Sequence, residues 1–287
     1  MVYLIKQAFN LISYYEQKKD MRTDHYLFLG SPLKTIAILA LYYYFVKNLG
    51  PRLMKDRKPF QLKGVLMVYN IIQVVANAIL SILSIYAFFS NPDRKLRCLL
   101  SDYSNTDIAM FEANLTYAYY LLKLSDLLDT IFFVLRKKNN QITFLHTYHH
   151  MCMIVGTYAT AKWLPGGHMG IVGILNSFVH ILMYSYYFIA SMKPELSKSI
   201  WWKKYITQAQ ILQFSILFVH FSHPLLFGDC KYPKFWMIFG FVQNTFMLIL
   251  FSDFYYRTYI CKNNSKTKSN KIKNINENNN HIGNKVK

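Results

Sequence analysis

The chain has 287 residues, 53% of them hydrophobic and 17% aromatic, and a formal charge of +19 at pH 7. Long apolar runs bracketed by Lys and Arg are the composition of a polytopic membrane protein with basic loops. A nucleic-acid binder would carry its positive charge on soluble helices or strands, so no nucleic-acid partner is expected.

Residues 1–30 are mixed in character, with Lys18, Lys19, Asp20, Arg22 and Asp24 ahead of any long apolar run. No cleavable signal is evident there, and the first span is expected to anchor the chain. Segments long enough to cross the hydrocarbon are predicted at 32–49, 64–89, 113–135, 145–161, 168–190, 205–225 and 234–256. The chain thus reads as an all-α protein with a lumenal segment 1–31, a transmembrane domain of seven helices over 32–260, and a basic tail 261–287. Pro165-Gly166-Gly167 makes the fourth and fifth spans a tight antiparallel hairpin.

An odd number of spans puts the termini on opposite sides, and the Lys and Arg residues outside the spans or at their ends then divide 21 to 10. The positive-inside rule places the richer side in the cytosol together with the C-terminus, and the N-terminus in the lumen. Cys98 and Cys230 then fall in lumenal loops, Cys152 inside the fourth span and Cys261 at the cytosolic end of the seventh. Only the first two share an oxidising compartment, so a Cys98–Cys230 disulfide is predicted. The tail is Asn- and Lys-rich with almost no apolar side chains, and it is expected to stay unfolded. Lys285 makes a partial match to a dilysine retrieval signal, with Asn284 at the other lysine's position.

Four spans carry polar residues where lipid should be. The third has Lys123, Asp126, Asp129 and Thr130, which serve either as an internal ion-pair cluster for helix packing or as the group that fixes a histidine's tautomer. Arg136, Lys137, Lys138 and Gln141 follow as a basic collar, either an ordinary cytosolic flank or a site for the phosphates of a carrier such as coenzyme A. The fourth span opens with His146, His149 and His150, three imidazoles on one helical face. Asn176, His180, Met183, Tyr184, Tyr186 and Tyr187 lie in or near the end of the fifth span, and Thr207, Gln210 and Gln213 follow Trp201, Trp202, Lys203 and Lys204 in the sixth. Interfacial anchoring and interhelical packing are the alternatives for these two rows. Turning all four stripes inward encloses one cavity open to the cytosol, suited to a long acyl chain on a phosphorylated carrier.

Those four motifs, in that order, resemble the very-long-chain fatty acid elongases over about residues 25–260. The family's Lys-x-x-Glu-x-x-Asp-Thr motif is matched by Lys123, Asp126, Asp129 and Thr130, with Asp126 reaching one methylene less than the family's Glu. His146, His149 and His150 match the His-x-x-His-His box; His180, Met183, Tyr184, Tyr186 and Tyr187 match His-x-x-Met-Tyr-x-Tyr-Tyr; Thr207, Gln210 and Gln213 match Thr-x-x-Gln-x-x-Gln. The resemblance implies six of seven helices in an inverted barrel around an acyl-CoA tunnel in the endoplasmic reticulum membrane. It implies condensation of acyl-CoA with malonyl-CoA to 3-oxoacyl-CoA, CoA and carbon dioxide, with no cofactor and no metal. A homodimer, and association with the reductases and dehydratase of the elongation cycle, are the partners it suggests.

Soluble condensing enzymes use a cysteine, but Cys152 lies outside the motifs and a thiol in apolar surroundings is inert. The expected nucleophile is His149, forming an acyl-imidazole, with His150 and His180 moving protons or polarising the thioester, and His146 and Asp129 completing the catalytic set. Asn176 and Gln210 are the expected oxyanion donors. Lys123, Arg136, Lys138, Gln141, Tyr186, Tyr187, Lys203 and Thr207 are expected to hold the CoA moiety. A membrane di-iron desaturase or hydroxylase shares the His-x-x-His-His spacing but needs about eight nitrogen ligands, and a lipid transporter is the non-enzymatic alternative.

Overall fold

The computed structural model describes residues 16–261 except 92, 93, 194, 196–199 and 229, together with 6, 7, 13 and 14. Of the tail expected to stay unfolded, only Cys261 falls among the described residues. Regular structure among them is helical, and the one extended pairing is an isolated bridge between Lys95 and Cys98.

Helix α1 (Pro32–Tyr44) begins where Ser31 accepts a hydrogen bond from the Leu33 amide and Pro32 supplies a ready-made helical φ. A π-helical stretch, Phe45–Leu49, carries it into α2 (Gly50–Met54). A side chain at Gly50 would come within 2.6 Å of Val134, so only glycine permits this approach. Next come α3 (Lys63–Phe89), α4 (Asp107–Ser125) and α5 (Leu127–Leu135). A 3₁₀ turn at Asn139–Gln141 precedes α6 (Phe144–Trp163), whose Thr143 cap accepts from the His146 amide at 3.2 Å. Helices α7 (Gly170–Met192), α8 (Ile200–Phe227) and α9 (Lys234–Tyr255) complete the bundle.

Among the described residues, four segments are long and apolar enough to cross a membrane: Lys63–Phe89, Gly170–Met192, Trp202–Phe227 and Lys234–Cys261. The other three predicted spans differ for physical reasons. The first holds only 13 residues before its helix changes winding. The third is divided at Asp126 into α4 and α5 and contains Lys123, Asp126 and Asp129. The fourth is diluted by its histidines and threonines.

Helix α3 lies along α7, α8 along α9, and α4 along α6. Tyr120, Ile154 and Tyr158 join Leu39, Tyr42 and Val46 in one buried cluster tying α4 and α6 to α1. Large apolar side chains such as Ile72, Val75, Ile79 and Ile82 point outward from α3, as expected of a surface that meets lipid. At the end of the bundle carrying the α6–α7 turn, Cys98 and Cys230 are disulfide-bonded, with Cα atoms 5.2 Å apart. The segment before α1 folds over this same end: the Asp20 amide donates to the Lys162 carbonyl at 2.9 Å, the Lys162 ammonium meets Glu16 at 2.8 Å, and Arg22 reaches the Asp102 and Ser104 carbonyls.

Candidate active site

The stripe that runs from α4 across Asp126 into α5 is divided between two neighbours. Lys123, 2% exposed, donates to Asp126 Oδ2 at 2.8 Å and stands 3.2 Å from His180 Nδ1 on α7. Tyr184, one turn after His180, donates to Asp129 Oδ2 at 2.7 Å and lies 3.2 Å from Asp126 Oδ1. Both carboxylates are therefore held from α7, while Thr130 faces the opposite way, 2.8 Å from the Tyr42 hydroxyl and 2.9 Å from His146 Nε2.

Helix α3 supplies groups that the motifs did not indicate. Gln73 Nε2 donates to Asp126 Oδ1 at 3.1 Å, to Ser125 Oγ at 2.9 Å and to the Tyr69 hydroxyl at 3.0 Å, and Asn77 donates to the Gln73 carbonyl. Tyr69, Gln73 and Asn77 recur every four residues and so occupy one helical face, which was the available signal. Asp126, although a methylene shorter than the family's Glu, thus reaches Lys123, Gln73 and Tyr184 directly.

The three imidazoles of α6 occupy different surroundings. The His146 ring packs 4.4 Å from that of His150, which is buried, and the His150 ring lies 5.8 Å from His149. His149 faces Phe214 on α8 and Phe251 on α9, each at 6.3 Å, and it lines a cavity of about 150 Å³. Cys152, Met153, Gly156, Thr157, Thr160 and Leu164 continue the same wall, so the cavity follows one face of α6 from the histidine box to the α6–α7 turn.

Asn176 is buried and accepts from the Tyr119 hydroxyl at 2.8 Å, which leaves its amide hydrogens for another acceptor. Gln210 is half-buried and stands apart from the cavity wall; Gln213, one turn on, is buried and lines it. Gln243 on α9 also lines the cavity. Its Oε1 accepts from Tyr148 at 2.5 Å and from Cys152 at 3.3 Å, so its amide hydrogens are its free polar group. Gln243 opens a short polar run, Gln243-Asn244-Thr245, in an otherwise apolar helix, and that run matches none of the four motifs.

The residues expected at CoA sit in two layers. Arg136 is half-buried, and Lys138, Gln141 and Lys203 are exposed around the starts of α6 and α8. Thr207 is buried and donates to the Lys203 carbonyl at 2.9 Å; Tyr186 is buried beside the more exposed Tyr187, with rings 5.7 Å apart. Lys123 lies deeper, enclosed by Asp126 and His180. Among the described residues, no three His, Cys, Asp or Glu side chains converge as ligands for a metal.

The ELO (GNS1/SUR4) family model matches residues 27–267. The chain belongs to that family. It is 42% identical to very long chain fatty acid elongase 7 of Drosophila melanogaster, over 88% of this chain and 77% of the relative. A very long chain fatty acid elongase of Aedes aegypti is 40% identical over 90% and 72% of the two chains, and human very long chain fatty acid elongase 4 is 39% identical over 84% and 76%. In this ELO chain the histidine box, the Lys123 to Thr130 motif and His180 stand together on α4 to α7, with Gln243 facing them from α9.

Proposed function

We propose that this chain condenses a long-chain acyl-CoA with malonyl-CoA to give a 3-oxoacyl-CoA, CoA and carbon dioxide, the first step of two-carbon fatty acid elongation. The observation that carries the reading is His149 on the wall of an apolar cavity, with Arg136, Lys138, Gln141 and Lys203 outside it. An acyl chain in that cavity brings its thioester to the imidazole and leaves the CoA phosphates among the cations. Tyr186, Tyr187 and Thr207 flank the same approach. Lys123 serves His180 in this reading, not the CoA moiety, since its ammonium is enclosed by Asp126 and His180.

In the first half-reaction, His149 attacks the thioester carbon; a C–N bond forms, the C–S bond breaks, and CoA leaves as a thiolate that takes up a proton. Malonyl-CoA then loses carbon dioxide, and the resulting enolate carbon attacks the acyl-imidazole, forming the new C–C bond and freeing His149. His180 and His150 supply and accept protons, with Asp126 and Asp129 holding Lys123 and Tyr184 around them. The oxyanion takes hydrogen bonds from Gln243 and Asn176, whose amide oxygens are already occupied. His146, tied to Thr130, positions the box.

Seven spans, including α1–α2, α4–α5 and α6, with the tail cytosolic in the endoplasmic reticulum, complete the proposal. It is tested by release of labelled carbon dioxide from malonyl-CoA. Release that depends on added acyl-CoA is the expected result; release that ignores acyl-CoA, or none from folded protein, would overturn it.

A further inference from the structure

Away from His149, the apolar walls of the cavity end on charge. Arg94, in the segment after α3, pairs with Glu112 through Nη2 while its Nη1 donates to the Gly166 carbonyl at 3.2 Å. The two side chains are 11% and 6% exposed, and both line the cavity along with Ala87, Phe88 and Leu164. Gly166 has a φ of +66°, and a side chain there would come within 2.5 Å of Glu112 Oε2. The α6–α7 turn is thus pressed directly on the carboxylate, and α4, the loop after α3 and the turn close this end together. Glu112 precedes Lys123 by eleven residues, about 16 Å along α4.

We infer that the Arg94–Glu112 ion pair is the length stop for the acyl chain, a specificity determinant that rests on the reading in which that chain fills the cavity with its thioester at His149. A terminal methyl that meets apolar side chains can displace flexible neighbours at modest cost. A methyl that meets a desolvated ion pair advances only by separating the charges, which leaves a buried carboxylate uncompensated, and that is among the costlier local changes a protein can undergo. The limit set by the pair is therefore sharp.

Gly156 allows the two parts of this inference to be separated. It lies on the cavity wall between His149 and the pair, and a Cβ added there meets nothing within 4 Å, so leucine at this position projects into the cavity. The experiment gives purified full-length protein a series of saturated acyl-CoA substrates of increasing length, with malonyl-CoA, and reads product lengths by mass spectrometry. Gly156→Leu is expected to shorten the longest product. Arg94→Ala/Glu112→Ala is expected to extend it by at least one two-carbon unit while shorter substrates still turn over, and the isosteric Glu112→Gln is expected to move it in the same direction. A purely structural role for the pair would lower all products together. If Gly156→Leu shortens the profile while the folded double variant and Glu112→Gln keep the wild-type profile, the pair is not the stop. If Gly156→Leu leaves the profile unchanged, the chain lies elsewhere and the underlying reading falls with the inference. Should the double variant fail to give monodisperse protein, Glu112→Gln decides.

Discussion

The Nδ1 of His180 stands 3.2 Å from the ammonium nitrogen of Lys123, which itself donates to Asp126 at 2.8 Å. An ammonium has only donors, so Nδ1 accepts and the neutral ring carries its proton on Nε2. His180 therefore carries its N–H on Nε2, the form that polarises a carbonyl or delivers a proton in the proposed reaction.

Lys123→Met removes that constraint and leaves Asp126 buried without a counter-charge. Breaking a buried pair from one side costs about 3–5 kcal/mol. A clear fall in melting temperature is expected in detergent, together with loss of condensation. Adding Asp126→Asn should recover stability but not activity, because the His180 tautomer stays unfixed. Recovery of both would show that Lys123 acts only through packing.

Gln243→Leu and Gln210→Leu distinguish these two glutamines as oxyanion donors. Gln243 lines the cavity and has its oxygen occupied by Tyr148 and Cys152, whereas Gln210 lies off the wall. Loss of one preorganised donor typically lowers kcat by about 10²–10³-fold. Gln243→Leu is expected to fall in that range with KM for acyl-CoA little changed, and Gln210→Leu to fall far less. Steady-state kinetics on both variants would contradict this if the order were reversed.

Cys98→Ser tests what closes the other end of the bundle. The disulfide spans 132 residues, and the chain-entropy model assigns a loop of that size about 5 kcal/mol; a denatured state still threaded through lipid keeps less freedom and reduces the effect. Thermal unfolding should fall by several degrees in Cys98→Ser and in reduced wild type alike, and remain unchanged in Cys152→Ser. A melting temperature insensitive to reduction would show that the segment before α1, clamped through Arg22 and Lys162, and the Arg94–Glu112 contact hold this end without the disulfide.

Much of this was legible in the chain. The positions 149, 152, 153, 156, 157 and 160 follow helical spacing, and they line one cavity. Lys123 stands beside His180 and Thr130 beside His146, while of the Thr207, Gln210 and Gln213 row only Gln213 shares the cavity wall with His149. The break at Asp126 was not legible, because helix-compatible residues stand on both sides and no Gly or Pro marks it. Gln73 and Gln243 belong to none of the four motifs, and their meaning comes from the partners that other helices bring to them. The Arg94–Glu112 pair joins a loop to a helix 18 residues on, a contact no local pattern specifies.

In the proposed reaction, acyl transfer passes through His149. Incubating the protein with acyl-CoA in the absence of malonyl-CoA and mapping the product by peptide mass spectrometry tests it most directly. An acyl adduct on the peptide containing His149, chased by malonyl-CoA and absent from His149→Ala, is the expected result. Normal elongation by His149→Ala, or a competent acyl adduct on Cys152 instead, would contradict it.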